Sequence, residues 1–397
     1  MTSVLKGVRV LDLTHVLAGP FAGYQLAVMG AEVIKIESPE ESDQARYQGS
    51  DAALNDTGMG TAFLSQASNK KSLALNLKTE AGRRVLRQLA ETADVLIENY
   101  RPGAFDALGL GYAELSALNP KLVYCSISAF GCAGPKRELT AYDGVVQAYS
   151  GMMAMTGESG TAPVKCGAPV VDYATGSTAA MAILAALLQR SQSDGLGQFV
   201  EVAMSDVAMI LASSHVTGYL WNGSHPEQKG NRYPFATIGC YQASDAPLMV
   251  SASNLRQQRR LWETLGRTDL IKDNNRERIK GYTEEAQALT QIIATQPVQH
   301  WESLLREHRV PVSRVQRLEA MLADEHLRGR HVLHRFGDEV GVLAGLTVPV
   351  SGFQLSRSPV AITTPPQPVG AQNLELLSEL GYGSSEIDVM RAQGVIS

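Results

Sequence analysis

Apolar and polar positions alternate regularly along the first half of the chain. The apolar, β-branched stretch 8–15, VRVLDLTH, predicts a buried strand. The first half of the stretch that follows, 19–37, predicts a helix with Pro20 near its start and Gly30 near its end. The end of that stretch, AEVIKIE, predicts a second strand. This strand–helix–strand order is a βαβ unit, and such units build parallel sheets.

The same order of elements continues to residue 220. Further strands are predicted at 94–99, 121–131 and 197–204. Further helices are predicted at 79–93, with Thr79 as the N-cap, at 112–120, after Asp172, and at 205–220. An alternation of this kind predicts an α/β fold with a parallel sheet.

The composition changes near Gly223, where Gly, Pro and Ser become frequent and strand-like runs become short. We therefore expect a smaller second domain at 225–325. Two strand-like runs and two helical patterns follow it, so residues 326–397 are expected to join 1–224 in one large domain. A chain of 397 residues is long for a single hydrophobic core, which also favours two domains.

The bulk composition excludes several classes of protein. Hydrophobic residues make up 44% of the chain and charged residues 19%, as in an ordinary globular protein. The net charge of -5 argues against a nucleic-acid partner, because phosphate binding needs a basic surface. The longest apolar run, Ala179–Leu188, is far shorter than the ~20 residues that span a bilayer, so no membrane partner is expected. The first residues lack the apolar core of a signal peptide, so we expect a cytoplasmic protein.

Cysteine and histidine spacing gives no sign of a metal or disulfide framework. Cys125, Cys132, Cys166 and Cys240 are scattered, with no C-x-x-C pair. The 8 histidines show no H-E-x-x-H or similar ligand spacing. We therefore expect no metal cofactor.

Three polar stretches lie at the expected ends of strands. The loop HVLAGPFAG at 15–23 opens a helix, and this position suits a nucleotide-like ligand or a purely structural turn. Lys70 and Lys71 stand before the strand-like LALNL and suit either phosphates or a solvated surface pair. Asn99 and Tyr100 follow a strand, where a ligand contact and a polar turn explain them equally well.

Two aspartates stand near helix starts. Asp143, after Tyr142, could cap the helix that begins there. Asp172 precedes a long helix of small residues, and helix capping is the ordinary role of an aspartate in this position. However, Thr175 and Ser177 are competing caps that would leave Asp172 one turn too early. Small flanking residues would also let a bulky ligand approach its carboxylate.

Several blocks are more specific in combination than any one of them alone. They are LKGVRVLDLTHVLAGP, GAEVIKIE, NKKSLALNLKTEAGR, ADVLIENYRPGAFDALGLGY, LNPKLVYCSISAFG, YDGVVQAYSG, VDYATG, GLGQFVEVAM and LLSELGYGSSEIDVMRAQGVI. Together they resemble the class III CoA-transferase family, also called CaiB/BaiF. The resemblance covers nearly the whole chain and is weaker across about 225–325.

The resemblance implies a fold and an assembly. The expected fold is α/β, with a Rossmann-like large domain that contains the parallel sheet and a smaller α/β domain between its two parts. The expected assembly is an interlocked homodimer in which each ring-shaped chain threads through its partner. Coenzyme A would bind the large domain as the CoA group of an acyl-CoA co-substrate.

The resemblance also implies a reaction and its residues. CoA would move from a donor acyl-CoA to a free carboxylic acid through anhydride and thioester intermediates on Asp172. The helix start at Asp172 is expected to help hold its negative charge. The expected CoA contacts are His15, Val16, Leu17, Ala18, Asn69, Lys70, Lys71, Asn99 and Tyr100. Tyr142 and Arg232 are candidate substrate contacts, and Arg232 could pair with the second carboxylate of a dicarboxylic acid or lie on the surface.

Two alternatives remain open at this stage. Relatives that are 2-methylacyl-CoA racemases carry a His-Asp pair where this chain has Tyr142 and Asp143, and an unperturbed tyrosine is a poor base at neutral pH. The other alternative is a non-catalytic CoA-binding protein. The chain also departs from the family at Ser38 and Ala107, where relatives use polar or basic residues near the adenine and phosphates of CoA. KGNRYPFA at 229–236 takes the place of a glycine-rich loop found in formyl-CoA transferases.

Overall fold

The computed structural model describes residues 3–397. The strands are β1 (Arg9–Asp12), β2 (Glu32–Glu37), β3 (Lys70–Ala74), β4 (Val95–Glu98), β5 (Val123–Ser128), β6 (Phe199–Ala203), β7 (Ile238–Gln242), β8 (Pro247–Ser251), β9 (Val312–Arg314), β10 (Leu333–Arg335) and β11 (Thr347–Pro349). The α-helices of the first 224 residues are α1 (Ala18–Val28), α2 (Ala52–Asp56), α3 (Thr61–Leu64), α4 (Glu80–Thr92), α5 (Ala104–Ala107), α6 (Tyr112–Leu118), α7 (Asp143–Tyr149), α8 (Met152–Met155), α9 (Val170–Gln192), α10 (Met204–Leu211) and α11 (Ser213–Asn222). The remaining α-helices are α12 (Leu255–Thr264), α13 (Asn275–Lys280), α14 (Tyr282–Ile293), α15 (Val298–Glu307), α16 (Leu318–Ala323), α17 (Glu325–Gly329), α18 (Asn373–Glu379) and α19 (Ser384–Ala392). Short 3-10 helices lie at Gln44–Tyr47, Thr268–Leu270 and Asp338–Leu343.

Strands β1 to β6 form one sheet in the order β3-β2-β1-β4-β5-β6. Every neighbouring pair in it is parallel, which confirms the predicted α/β fold with a parallel sheet. This is the strand order of Rossmann-type sheets, and it reverses direction between β1 and β4. Ligands of such sheets bind outside the carboxyl ends of the strands at that reversal.

Local sequence patterns predict most of these helices and strands correctly and one helix incorrectly. Thr79 caps α4 as predicted, since its hydroxyl accepts the N–H of Gly82 at 3.0 Å. The single long helix expected at 205–220 is wrong, because the chain breaks into α10 and α11 at Ala212. Ser213 explains part of the break, because its hydroxyl donates to the backbone carbonyl of Ile210. Such local side-chain bonds compete with the helical ladder.

Helices α1 and α9 pack closely against each other on one face of the sheet. Their buried side chains, including Ala22 and Ala179, join those of β1, β4, β5 and β6 in one apolar cluster. Helix α9 is long and apolar enough to cross a membrane by length and composition alone, but 39% of its most apolar window is buried inside the protein. Ala179, Ile183 and Ala186 of this helix belong to the apolar cluster of the sheet.

Gly176 on α9 makes this close approach possible. A methyl group added at this position would lie 2.4 Å from the carbonyl oxygen of Ala18 at the start of α1. We expect Gly176→Ala to lower the free energy of unfolding by about 1–3 kcal/mol, because backbone atoms of α1 must move. The neighbouring exposed residue provides the control, Ser177→Ala, which should change stability by less than about 0.5 kcal/mol. Equal urea midpoints for the two variants would contradict this packing argument.

Packing divides the chain into two compact units. The large unit contains the residues up to Met152 together with Lys165–Ser224 and Arg330–Ser397. The small unit contains Met153–Val164 and His225–Gly329, whereas the sequence had placed only 225–325 in it. Within the small unit, β7, β8 and β9 form an antiparallel sheet that packs with helices around Trp262. In the large unit, β10 and β11 form a separate antiparallel pair.

Candidate active site

The candidate site lies at the carboxyl ends of the central strands of the sheet. The segments after β1, β4 and β5 and the first turn of α9 surround a cavity of about 320 Å³. Its polar lining residues include His15, Asn99, Tyr100, Ser128 and Asp172. The reversal of strand order between β1 and β4 is what brings the first two segments together here.

Asp172 is the carboxylate of this cavity. It is the third residue of α9 and is half-buried, so it lies in the first helical turn rather than before it. Among the residues that the structure describes, none donates a hydrogen bond to its side chain, and Asp172 is therefore not the helix cap. The competing caps Thr175 and Ser177 lie inside the helix, where the Ser177 hydroxyl donates to the carbonyl of Tyr173 at 2.8 Å.

Asp143 caps the helix of Asp172 instead of its own. Its Oδ2 atom accepts the N–H groups of Val171 at 2.8 Å and Asp172 at 3.1 Å. The side chain of Gln147 donates to Oδ1 of Asp143 and accepts the N–H of Cys166 at 2.9 Å. The expectation that Asp143 caps the helix starting at that position is therefore wrong, because α7 begins with Asp143 itself and the carboxylate reaches across to α9.

This cap changes the electrostatics of Asp172. Burial, and next to it the negative charge of Asp143, raise the pKa of Asp172 to about 7. The expectation that the helix start would hold the negative charge of Asp172 is not met, because the N–H groups of that turn are bonded to Asp143. A carboxylate with this pKa is a stronger base and nucleophile than an exposed aspartate.

Two loops of the cavity wall are bonded to each other. The amide side chain of Asn99 accepts the N–H of His15 at 2.8 Å and donates to the His15 carbonyl at 2.9 Å. The imidazole Nε2 of His15 lies 2.9 Å from the hydroxyl of Tyr100. Burial, together with the charge of Lys35, lowers the pKa of His15, so its ring is neutral at pH 7. Burial raises the pKa of Tyr100, so its hydroxyl keeps its proton.

A second cavity of about 450 Å³ adjoins the first. The two cavities share His15, Val16, Tyr100 and Tyr142 as lining residues. Tyr142 is 63% exposed and lies 3.4 Å from the amide of Gln44. The remaining lining residues of the second cavity are Ile36, Glu37, Ser38, Glu41, Ser42, Gln44, Leu75, Asn76, Leu77, Lys78, Phe105 and Leu108.

The structure does not bring Asn69, Lys70 and Lys71 to either cavity. Strand β3 begins at Lys70, so all three residues lie at the amino end of the parallel sheet, opposite the candidate site. Lys70 is buried and paired with Asp12 at 2.8 Å. Lys71 is paired with Glu32 and Glu375 at 2.8 and 2.7 Å. Their charges are thus paired within the fold, away from both cavities, and the CoA contacts predicted at these positions have no support in this geometry.

The amide of Asn69 is also used within the fold. It donates to the carbonyl of Ala361 at 2.7 Å and accepts the N–H groups of Thr363 and Thr364 at 2.7 and 3.0 Å. These bonds hold the C-terminal segment beside β3. The other predicted contacts, His15 to Ala18, Asn99 and Tyr100, do line the first cavity.

Sequence reasoning missed two residues at the site. Lys78 follows the carboxyl end of β3 and is 71% exposed at the second cavity. The rule that ligands meet the carboxyl ends of parallel strands would have favoured it over Lys70. The sequence singled out Asp143 as a possible cap of α7 and, with Tyr142, at the position of the racemases' His-Asp pair, and no local signal ties it to α9.

Two further candidates are placed as follows. Tyr142 lines both cavities, whereas Arg232 is an exposed residue of the small unit. The Arg232 guanidinium contacts the carbonyl of Lys229 at 3.4 Å. Within residues 3–397, no group of three or more His, Cys, Asp or Glu side chains is arranged to hold a metal ion.

Known proteins define the class to which this fold and site belong. A sequence model of CoA-transferase family III matches residues 5–373. A succinate–glutarate CoA-transferase of Agrobacterium fabrum is 35% identical over 95% of this chain and 95% of its own length. A formyl-CoA:oxalate CoA-transferase of Streptomyces avermitilis is 32% identical over the full length of both chains. The crystal structure of a CaiB/BaiF family protein from Brucella suis superposes with a TM-score of 0.82 at 28% identity, over 96% of this chain and 100% of that one.

The chain therefore belongs to CoA-transferase family III, the CaiB/BaiF family, and is a class III CoA-transferase. The predicted resemblance is confirmed. Acyl-CoA is the co-substrate of this family, so the cavities at the carboxyl edge of the sheet are candidate sites for it.

Proposed function

We propose that Asp172 is the nucleophile in the transfer of CoA from a donor acyl-CoA to a free carboxylic acid. The observation that carries the proposal is a half-buried carboxylate in a cavity wall with no hydrogen-bond donor to its side chain and a pKa of about 7. A purely structural aspartate in a first helical turn would be bonded to backbone N–H groups. Here Asp143 has that role, and Asp172 is left available to a substrate.

Each step of the transfer conserves the high-energy acyl bond. A carboxylate oxygen of Asp172 attacks the thioester carbon of the donor, the C–S bond breaks, and CoA leaves as the thiolate with an acyl-aspartyl anhydride behind it. The thiolate then attacks the aspartyl carbonyl, which releases the donor acid and forms an aspartyl-CoA thioester. The acceptor carboxylate attacks this thioester to give a second anhydride. The thiolate attacks the acceptor carbonyl, which forms the new acyl-CoA and restores Asp172.

The two adjoining cavities fit an extended co-substrate. The acyl thioester occupies the cavity of Asp172, and the nucleotide end of CoA occupies the second cavity. Lys78 and Arg101 are the two lysine or arginine side chains among the described lining residues of these cavities. They offer positive charge to the phosphates, since the contact of Lys78 with Glu41 is long, at 3.4 Å, and exposed to solvent, although Ser38 and Ala107 replace basic or polar residues of relatives. Lys78 takes the place that the sequence had assigned to Lys70 and Lys71.

A pair of lysine variants tests this placement. Lys78→Ala should raise KM for acyl-CoA about fivefold, because one exposed charge contact to a phosphate is lost. Lys71→Ala, at the opposite end of the sheet, should leave KM unchanged. The effect of Lys78→Ala should shrink in high salt, since exposed charges are screened. An increase in KM with Lys71→Ala but not Lys78→Ala would return the CoA site to the amino end of the sheet.

Small dicarboxylic acids are the proposed substrates. The named relatives act on succinate, glutarate or oxalate, and they match nearly the whole of this chain. The second carboxylate of such an acid needs a cation, and Arg232 is the candidate that the sequence offers. Arg232→Ala would then raise KM for a dicarboxylic acceptor far more than for a monocarboxylic one.

A direct exchange assay tests the function. The protein is mixed with succinyl-CoA and a panel of free mono- and dicarboxylic acids, and new thioesters are measured by mass spectrometry. Formation of the CoA ester of a dicarboxylic acid supports the proposal. Deuterium incorporation at the α-carbon of a 2-methylacyl-CoA, without any exchange, would instead establish a racemase. Binding of CoA with neither reaction would indicate a non-catalytic CoA-binding protein.

We propose a homodimer as the working assembly. Large apolar side chains of the large unit are exposed, among them Trp221 at 87%, Leu220 at 77% and Ile210 at 66%. Leu220 and Trp221 are adjacent residues of α11, and exposed large apolar side chains that lie together mark interaction surfaces. The predicted interlocked ring agrees with a chain whose large unit is built from both of its ends.

A further inference from the structure

The loop between β1 and α1 contains a strained residue. Val16 has a φ of 71°, in the left-handed region, although it is not glycine. A β-branched residue is a rare occupant of this region, and the conformation is strained. Such strain persists only where surrounding contacts force it, and it is concentrated at functional sites.

Hydrogen bonds hold every backbone polar group of this part of the loop. The N–H of Val16 donates to Oδ1 of Asp43 at 2.9 Å, and its carbonyl accepts from the amide of Gln66 at 2.7 Å. The N–H and carbonyl of the preceding residue, His15, are both bonded to Asn99. The loop conformation is thus imposed from three separate segments of the chain.

The bond from Asp43 depends on a buried ion pair. The ammonium of Lys35 lies 3.2 Å from Oδ2 of Asp43, and the side chains are only 3% and 1% exposed. Lys35 also donates to the carbonyl of Thr14, at the start of the same loop. Although burial alone would do the opposite, Lys35 and the N–H groups of Val16 and Ala45 hold the pKa of Asp43 below its ordinary value. Asp43 is therefore an anion, and its bond to Val16 is charge-assisted.

The consequence of this arrangement lies two residues further on. Leu17 precedes α1 and Ala18 begins it, and both line the cavity of Asp172. First-turn N–H groups of a helix have no acceptor within the helix, so they are available to a developing negative charge. Their direction is set by the dihedral angles of Val16. A relaxed Val16 would turn the start of α1 relative to the carboxylate.

We propose that the buried Lys35–Asp43 pair is a positioning device for CoA transfer, which holds Val16 in its left-handed conformation and thereby aims the start of α1 into the cavity. Neither side chain lines the cavity of Asp172, so both act through Val16. This inference rests on the proposed transferase activity of that site. It differs from a general stabilising role because it requires energetic coupling between Asp43 and Val16, whose dihedral angles are strained.

A double-mutant cycle with Val16→Gly measures that coupling. Glycine adopts positive φ without strain, so a loop with glycine at this position depends less on the Lys35–Asp43 pair. We expect Asp43→Asn to lower kcat by about 10–100-fold in the native background but by less than about threefold in the Val16→Gly background. Lys35→Met should show the same pattern. An equal loss of kcat in both backgrounds would overturn the proposal.

Arg46→Met provides a matched control. Arg46 forms an equally buried ion pair with Glu37 at 2.6 Å and has no bond to residues 14–18; the pair touches Asp43 only through the Asp43 N–H, which Glu37 accepts at 3.1 Å. Arg46→Met should lower the free energy of unfolding as much as Asp43→Asn does, but its effect on kcat should be the same with and without Val16→Gly. Coupling of Arg46 to Val16 as large as that of Asp43 would reduce the pair to a general structural role.

Hydrogen exchange separates failure of this inference from failure of the proposed function. In the folded protein, the amide of Val16 should be protected, and Asp43→Asn should speed its exchange more than that of His15, whose N–H is bonded to Asn99. If the protein transfers no CoA but this change in exchange occurs, the Lys35–Asp43 pair does hold Val16 and the proposed function is wrong. If transfer occurs and the exchange of Val16 is unaffected, the proposed positioning role of the Lys35–Asp43 pair is wrong.

Discussion

Asp172→Asn is expected to abolish CoA transfer, with a loss in kcat of at least about a thousandfold, while acyl-CoA binding is retained. The amide cannot form an anhydride, and removal of a covalent nucleophile leaves only the contribution of binding and orientation. The same variant should be more stable than the native protein. A carboxylate whose pKa is raised to about 7 by burial and by Asp143 is costly to ionise in the folded state.

The sign and the pH range of this stability change follow from the two pKa values. Below pH 4 the carboxyl is neutral in both folded and unfolded chains, so Asp172→Asn should have no effect. Between pH 4 and 7 only the unfolded chain ionises, so the gain should grow, and above pH 7 it should level off. Because the side chain is partly exposed, we expect a plateau of about 1–2 kcal/mol rather than the full electrostatic cost. Urea unfolding at pH 5 and pH 8 measures it.

Asp206→Asn is the matched control for both effects. Asp206 is also the third residue of an α-helix, α10, but it is exposed. Its substitution should change neither kcat nor stability by more than a small amount. If Asp172→Asn and Asp206→Asn behave alike, Asp172 is an ordinary first-turn aspartate and the account fails.

The pH dependence of transfer is the second large effect. Only the ionised form of Asp172 attacks a thioester, so kcat/KM should fall as the pH drops below 7, by about 100-fold at pH 5. Asp143→Asn removes the negative charge that adds to burial in raising this pKa, but it keeps an acceptor for the α9 N–H groups. The midpoint should therefore move to lower pH by about half a unit to one unit.

Glu98 requires a separate control in this experiment. Burial raises its pKa to about 7 as well, and it accepts the N–H of Tyr100 at 2.8 Å beside the site. Glu98→Gln keeps that acceptor but cannot ionise. If the midpoint survives in Glu98→Gln and moves in Asp143→Asn, it belongs to Asp172. If it disappears in Glu98→Gln, the titration belongs to Glu98.

The sheet was predictable because its strands are local apolar runs. The β1–α1–β2 unit follows from the apolar runs and from Pro20 and Gly30 near the helix ends. The observed β1 and β2 lie within the predicted stretches, and α1 begins at Ala18, one residue before its own. The placement of Lys70 was not predictable in this way, because charged residues rarely enter a buried strand. Lys70 does so since Asp12 and the carbonyl of Pro20 receive its ammonium in the core.

The candidate site was predictable only where local signals and the resemblance coincide. His15, Asn99 and Asp172 lie at strand ends or a helix start, and the fold brings these places together at one edge. Asp143 could not be assigned, because it caps a helix that begins 27 residues further along the chain than its own. Contacts of this kind depend on tertiary packing, which no local pattern encodes.

Transfer of oxygen from the acceptor acid to Asp172 tests the central claim most directly. In the proposed mechanism, the acceptor carboxylate attacks the aspartyl-CoA thioester and leaves one of its oxygens on Asp172 when the new acyl-CoA forms. Turnover with an acceptor labelled with oxygen-18 should therefore make the peptide that carries Asp172 heavier, whereas the peptide that carries Asp206 should be unchanged. Transfer that proceeds normally with no label on Asp172 would contradict a covalent role for this residue.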